Sequence, residues 1–89
     1  MDLKKVRKDI DLIDNKILDL LKKRLLIVKK IGVWKSKNGM KVRDANREGE
    51  MFSLLTDKAN KKGLDEEFVL SLWKLILKNS RSNQEVIKK

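Results

Sequence analysis

The first part of the chain contains apolar residues at a regular helical spacing that continues without interruption. From Leu3 to Trp34 the members of this stripe lie three or four positions apart, which places them on one face of a helix. The stripe consists of Leu3, Val6, Ile10, Ile13, Ile17, Leu20, Arg24, Ile27, Ile31 and Trp34. The pattern predicts one helix from about residue 3 to residue 38, with Arg24 as the one charged member of its stripe.

A helix of this length is too long for its own chain to cover. At about 1.5 Å per residue it would measure roughly 50 Å. A compact chain of this size has a radius of gyration of only about 12 Å. Burying the rest of the apolar stripe therefore requires a second copy, and we expect an intertwined homodimer in which the long helices pair.

Two shorter helices are expected after the long one. Asp44 and Asp65 are good N-caps, and Gly39 and Gly63 stand where helices should stop. The remaining glycines, Gly32 and Gly49, fall inside helical patterns, where glycine costs up to about 1 kcal/mol relative to alanine and needs another reason. The predicted fold is all-α, a single domain of residues 1–89 with helices at about 3–38, 45–62 and 65–87.

Composition narrows the chemistry. The chain has 23 Lys and Arg against 13 Asp and Glu, and its net charge of +10 attracts anions. It has no histidine, so the usual general base and the commonest metal ligand are missing. It has no cysteine and no apolar run of membrane-spanning length, so we expect a cytoplasmic protein without a membrane segment.

Polar residues on the inward faces suggest a binding site. Arg24 and Lys35 are almost three helical turns apart, so both point the same way with roughly 16 Å between them along the axis. Arg7 lies about 25 Å from Arg24 along the same helix. In an antiparallel helix pair, Arg7 of one copy could instead complete the cationic cluster of the other.

Each polar residue also has a simpler structural interpretation. Arg24 can be a snorkelling or salt-bridged interface residue, and Lys35 can interact with the helix dipole. Asp44 can be an ordinary helix cap, and Arg47 with Glu48 can form a surface ion pair. Ser80 and Gln84 can belong to a fraying helix end. Taken together, these interpretations require coincidental polar interruptions on the inward faces of all three helices.

Six short motifs in order carry a resemblance that covers nearly the whole chain. They are Arg7, Asp14-Asn15-Lys16, Leu20-Leu21-Lys22-Lys23-Arg24, Ile31-Gly32-Val33-Trp34-Lys35, Val42 to Glu48, and Ser80-Arg81-Ser82-Asn83-Gln84. In this arrangement the chain resembles the all-helical class of chorismate mutases. The resemblance implies the isomerisation of chorismate to prephenate, on the route to phenylalanine and tyrosine. This rearrangement is pericyclic and needs no cofactor, metal, nucleophile or proton transfer.

The resemblance also implies how the two carboxylates of chorismate are held. Arg24 and Arg7 of the partner subunit would clamp them with planar guanidinium groups. Arg47 would add positive potential, and Ser80 would contact a carboxylate.

The remaining implied roles concern the ether oxygen and the ring hydroxyl of the substrate. Lys35 and Gln84 would donate to the ether oxygen, which gains negative charge in the transition state. Glu48 and the backbone near Asp44 would hold the ring hydroxyl. The implied catalytic residues are Arg24, Lys35 and Gln84.

Other functions are also compatible with the sequence. A basic helical dimer could bind nucleic acid, although its lysine pairs are dispersed and no stacking aromatic series accompanies them. A helical interaction module would need none of the polar site residues, and a family fold could have lost or altered its activity.

Overall fold

The computed structural model describes residues 1–42 and 44–88, with backbone alone for 85–88. Arg43, in the fifth motif, lies outside the described residues. Over the described ranges the chain forms three helices and no strand: α1 at Leu3–Lys37, α2 at Ala45–Lys61 and α3 at Glu66–Lys88. The all-α fold expected from the sequence is confirmed, with helix bounds within one residue of those predicted.

Caps and glycines explain where these helices begin and end. The Asp44 carboxylate accepts the backbone N–H of Arg47 at 3.0 Å, and the Asp65 carboxylate accepts that of Phe68 at 3.2 Å. Gly39 follows α1 with φ of 65°, and Gly63 follows α2 with φ of 72°. Both conformations suit glycine and turn the chain out of the helix.

The third helix holds the molecule together. It packs against both α1 and α2, whereas α1 and α2 do not approach each other closely within the described residues. The buried apolar side chains of the described residues are few: Val28, Ala59, Val69 and Leu77. The space left between α1 and α2, with α3 as its floor, is where the candidate site lies.

The N-terminal half of α1 extends away from the other helices. Every α1 side chain before Arg24 is exposed, and the molecule measures 56 × 25 × 14 Å with a radius of gyration of 16.3 Å. Large apolar side chains on this segment face solvent, with 62% of Leu12, 56% of Ile13 and 62% of Leu20 exposed. The chain alone therefore leaves the apolar stripe uncovered, as the helix-length argument predicts. Among the described helices, none is long and apolar enough to cross a membrane.

Candidate active site

A cavity of about 290 Å³ opens between the three helices. Seven of the eight predicted site residues line it: Arg24, Lys35, Asp44, Arg47, Glu48, Ser80 and Gln84. Arg7 does not line the cavity of its own chain. It lies on the exposed part of α1, about 25 Å from Arg24 along the helix axis.

Arg24 is fixed by α3. Its Nη1 donates to the Ser80 hydroxyl, which in turn donates to the carbonyl of Ile76 at 2.9 Å. Burial lowers the pKa of the Arg24 guanidinium from its ordinary value. A guanidinium nevertheless keeps its proton in proteins, so the cavity contains a permanent cation at this position. Arg24 is therefore a partly buried residue whose guanidinium is held by α3.

Lys35 connects the last turn of α1 to the segment that leads into α2. Its Nζ donates to the carbonyl of Val42 at 2.7 Å, and the side chain is half-buried. An ammonium group has three donors, so this bond leaves it able to donate to a ligand as well. The contact holds the cation at the cavity.

Glu48 is paired across the cavity mouth with Arg81 of α3. The Arg81 Nη1 lies 2.7 Å from Glu48 Oε1, with 33% of the arginine side chain and 16% of the glutamate side chain exposed. Charge-assisted bonds of this length are among the stronger hydrogen bonds in proteins. The carboxylate is thus held in a defined direction between α2 and α3.

Gln84 places an amide in the cavity wall. The residue is only 8% exposed, and its Oε1 has no hydrogen-bond partner within the described part of the chain. A buried polar atom without a partner is costly and calls for an explanation, which a bound ligand would supply. Ser80 is 5% exposed, so neither residue belongs to a fraying helix end.

The charges that line the cavity favour an anion. Four lining residues are cationic, Arg24, Lys35, Arg47 and Arg81, and two are anionic, Asp44 and Glu48. The excess is two positive charges. Arg47 and Asp44 are exposed, so both lie at the mouth. Asp, Glu, His and Cys side chains of the described residues form no group of three that could hold a metal ion.

Comparison with known proteins identifies the family of the chain. Residues 6–85 match the family described as chorismate mutase type II, and the matched range includes Arg7 and all the lining residues. The chain belongs to that family.

Individual relatives share similar segments. The chain is 34% identical over 84 residues to a bifunctional chorismate mutase/prephenate dehydratase of Buchnera aphidicola subsp. Schizaphis graminum, covering 94% of the chain and 22% of that protein. It is 35% identical over 83 residues to the protein of the same name in Buchnera aphidicola subsp. Acyrthosiphon pisum, again covering 22% of it. It is 26% identical over 83 residues to a chorismate mutase of Methanocaldococcus jannaschii, covering 93% of the chain and 84% of that protein.

Arg81 is the site residue that the resemblance to the chorismate mutase family did not single out. It stands in the last of the six motifs, but nothing in the sequence indicates that it meets Glu48, which lies 33 positions away. The sequence offered Arg47 as the neighbouring partner for Glu48. Only the packing of α3 against α2 brings Arg81 to the carboxylate.

We predict a measurable coupling between Arg81 and Glu48. Combining Arg81→Met with Glu48→Gln in a double-mutant cycle should give a coupling of about 1 kcal/mol, because the pair is charged, close and only partly exposed. The coupling is measured by urea unfolding of the wild type, both single variants and the double variant, all at the same protein concentration. Lys78→Met, at an exposed lysine of α3, is the matched control and should show no coupling. A value indistinguishable from this control would contradict the assignment.

Proposed function

We propose that this chain is a chorismate mutase that isomerises chorismate to prephenate. The observation that carries the proposal is that Arg24, Lys35 and Gln84 line one cavity, whose described lining has two positive charges in excess. Chorismate carries two carboxylates and an ether oxygen, so its charge and its acceptors match the donors that line this space. Family membership independently favours the same reaction.

Carboxylate binding would begin with Arg24. The Ser80 hydroxyl accepts from Nη1, which limits the directions in which the guanidinium can turn. The other guanidinium donors would bind the carboxylate in the cavity. Because Ser80 already donates to Ile76, it would reach a substrate carboxylate directly only by rotating its hydroxyl hydrogen. We therefore assign Ser80 mainly to the positioning of Arg24, and Arg47 at the mouth to attraction of the dianion.

Lys35 and Gln84 would act on the ether oxygen. As the carbon–oxygen bond breaks and the carbon–carbon bond forms, negative charge develops on this oxygen, and two fixed donors stabilise it more than they stabilise the ground state. The two ends of a glutamine amide are nearly equal in shape, so Nε2 can occupy the partnerless position of Oε1. The cavity also favours the folded substrate conformer that reacts.

The ring hydroxyl would bind at the α2 side of the cavity. Glu48 can accept its hydrogen, and the ion pair with Arg81 holds the carboxylate in place for this contact. The backbone around Asp44 lies next to it at the N-terminus of α2. These contacts would fix one orientation of the substrate without taking part in bond breaking.

The site would be completed by a second copy of the chain. Pairing of two α1 helices is favoured by the exposed side chains of Leu12, Ile13 and Leu20. Their apolar surface would be removed from water only in such a pair. An antiparallel pair would bring the partner subunit's Arg7 to the open side of the cavity as the second carboxylate ligand. A cytoplasmic location, expected from the sequence, is part of this proposal.

The chain spans about a fifth of the length of the two bifunctional relatives. The proposal concerns this segment and assigns no second activity to a larger protein.

Turnover of chorismate tests the proposal directly. We expect purified protein at neutral pH to consume chorismate, followed by its absorbance, and to release prephenate, identified by product analysis. Arg24→Ala should lower kcat/KM at least about a hundredfold, because a charge-assisted contact to a carboxylate is lost. Lys23→Ala, at the adjacent exposed lysine, should keep wild-type activity. A folded wild-type protein without turnover would refute the proposal, and salt-dependent binding of DNA or RNA would then favour the nucleic-acid alternative.

Complementation tests the shared site. Arg7→Ala and Arg24→Ala chains should each be inactive alone, yet their co-expression should restore about a quarter of wild-type activity, because half of the dimers would be mixed with one intact site each. Light scattering and differently tagged chains verify the mixed dimer. If mixed dimers form without recovery of turnover, Arg7 does not act across the interface.

A glutamate in place of Gln84 tests the donor role. A carboxyl group donates only when protonated, whereas the amide donates at any pH. Gln84→Glu should therefore lower kcat at neutral pH by about a hundredfold, and activity should return as the pH falls. Gln84→Ala is the control, since its loss should not depend on pH in this way. An unchanged pH profile in Gln84→Glu would remove this role.

A further inference from the structure

Gly32 lies where α1 and α3 come closest, beside Gln84. A Cβ placed on Gly32 would lie 3.0 Å from Gln84 Cα and 3.3 Å from both its Cβ and Cγ. Ordinary contacts between carbon atoms are about 3.5 to 4.0 Å. To accept a methyl group at this position, Gln84 and the α3 backbone that carries it must move away from α1 by a few tenths of an ångström.

The backbone at residue 32 gives no other reason for glycine. Among the described residues, the glycines with positive φ are Gly39 and Gly63, so Gly32 has an ordinary helical conformation that any residue adopts. Gly49 is the comparison within the same chain. It also lies inside a helix, yet a Cβ on it would meet nothing within 4 Å.

We propose that Gly32 is a positioning residue that sets how deeply the Gln84 amide enters the cavity. Lys35 lies three positions further along α1 and therefore on the same side of the helix. The close approach at Gly32 brings α3 against α1 one turn before Lys35, so the amide and the ammonium converge on one space. This inference rests on the proposed function, in which both groups donate to the same oxygen.

The position of the amide depends on helix packing, because its buried oxygen has no hydrogen-bond partner within the described residues. The Cα, Cβ and Cγ atoms of Gln84 lie close to Gly32, so this contact with α1 is the observed constraint on the side chain. A donor to a developing charge loses effect when it is displaced by a fraction of an ångström, whereas binding of the whole substrate depends on many contacts. Displacement should therefore reduce kcat more than it raises KM.

The test compares two glycine-to-alanine variants. We expect Gly32→Ala to lower kcat about tenfold while KM changes less than about threefold. Gly49→Ala, which makes the same chemical change in a helix with open space around it, should keep kcat within about twofold. Equal kcat in the two variants, in a wild-type protein that turns over, would refute the inference. An inactive wild-type protein would instead refute the proposed function and the inference with it.

A double variant separates positioning from general damage. Gln84→Ala keeps the Cα and Cβ atoms that Gly32→Ala would press upon, but it removes the amide. Adding Gly32→Ala to Gln84→Ala should then leave kcat unchanged within about twofold, although the steric conflict persists. A second tenfold loss in this background would show that Gly32 acts through something other than Gln84.

A third variant covers the case in which Gly32→Ala does not fold. Gln84→Asn leaves the contact between Gly32 and the α3 backbone intact but withdraws the amide by one methylene, about 1.5 Å. We expect kcat to fall at least about tenfold with KM nearly unchanged. Wild-type kcat in Gln84→Asn would show that the depth of the amide is unimportant and would overturn the proposal.

Discussion

The length of α1 is the constraint on which the rest of the structure depends. The helix contains 35 residues, and α3 packs against it while every α1 side chain before Arg24 stays exposed. That covered part supplies Arg24, Val28, Ile31 and Lys35 to the cavity. The uncovered part carries an apolar stripe and Arg7. One helix thus provides the wall of a site and the surface expected to form the dimer, so the two functions are linked by a rigid element.

Within the chain, α3 makes the site possible by keeping α1 and α2 apart. Its contacts with both helices are apolar at Val69 and Leu77 and become polar at Ser80, Arg81 and Gln84. The first of these polar residues holds Arg24, the second holds Glu48, and the third contributes an amide. A single helical turn therefore positions groups from both other helices, and its members Ser80 and Gln84 are buried.

Most of the fold was predictable because its signals are local. The stripe from Leu3 to Trp34, the caps at Asp44 and Asp65, and the glycines that end two helices each depend on residues within a few positions. Seven site residues were placed through the family resemblance and their inward spacing.

Long-range packing produced the features that the sequence did not predict. Arg81 meets Glu48 because α2 and α3 cross at that point, and no local pattern distinguishes it from the adjacent residues. Gly32 was recognisable as unusual, but its contact with Gln84 was not predictable. The two residues are brought together only by the crossing of α1 and α3. Helical periodicity identifies which side of a helix faces inward, and it does not identify what lies opposite.

The polar cavity and the proposed dimer have a common energetic origin. In a three-helix chain the space between the helices would ordinarily be filled by apolar side chains, yet here the lining includes four cations, two carboxylates and an amide beside apolar residues such as Val28 and Leu77. Partly buried charges cost desolvation energy, and an apolar replacement would often be more stable. Few apolar side chains of the described residues are fully buried, so the chain by itself has a small core. Apolar burial must then be found elsewhere, and the exposed stripe of α1 is the surface that can supply it by pairing with a second copy.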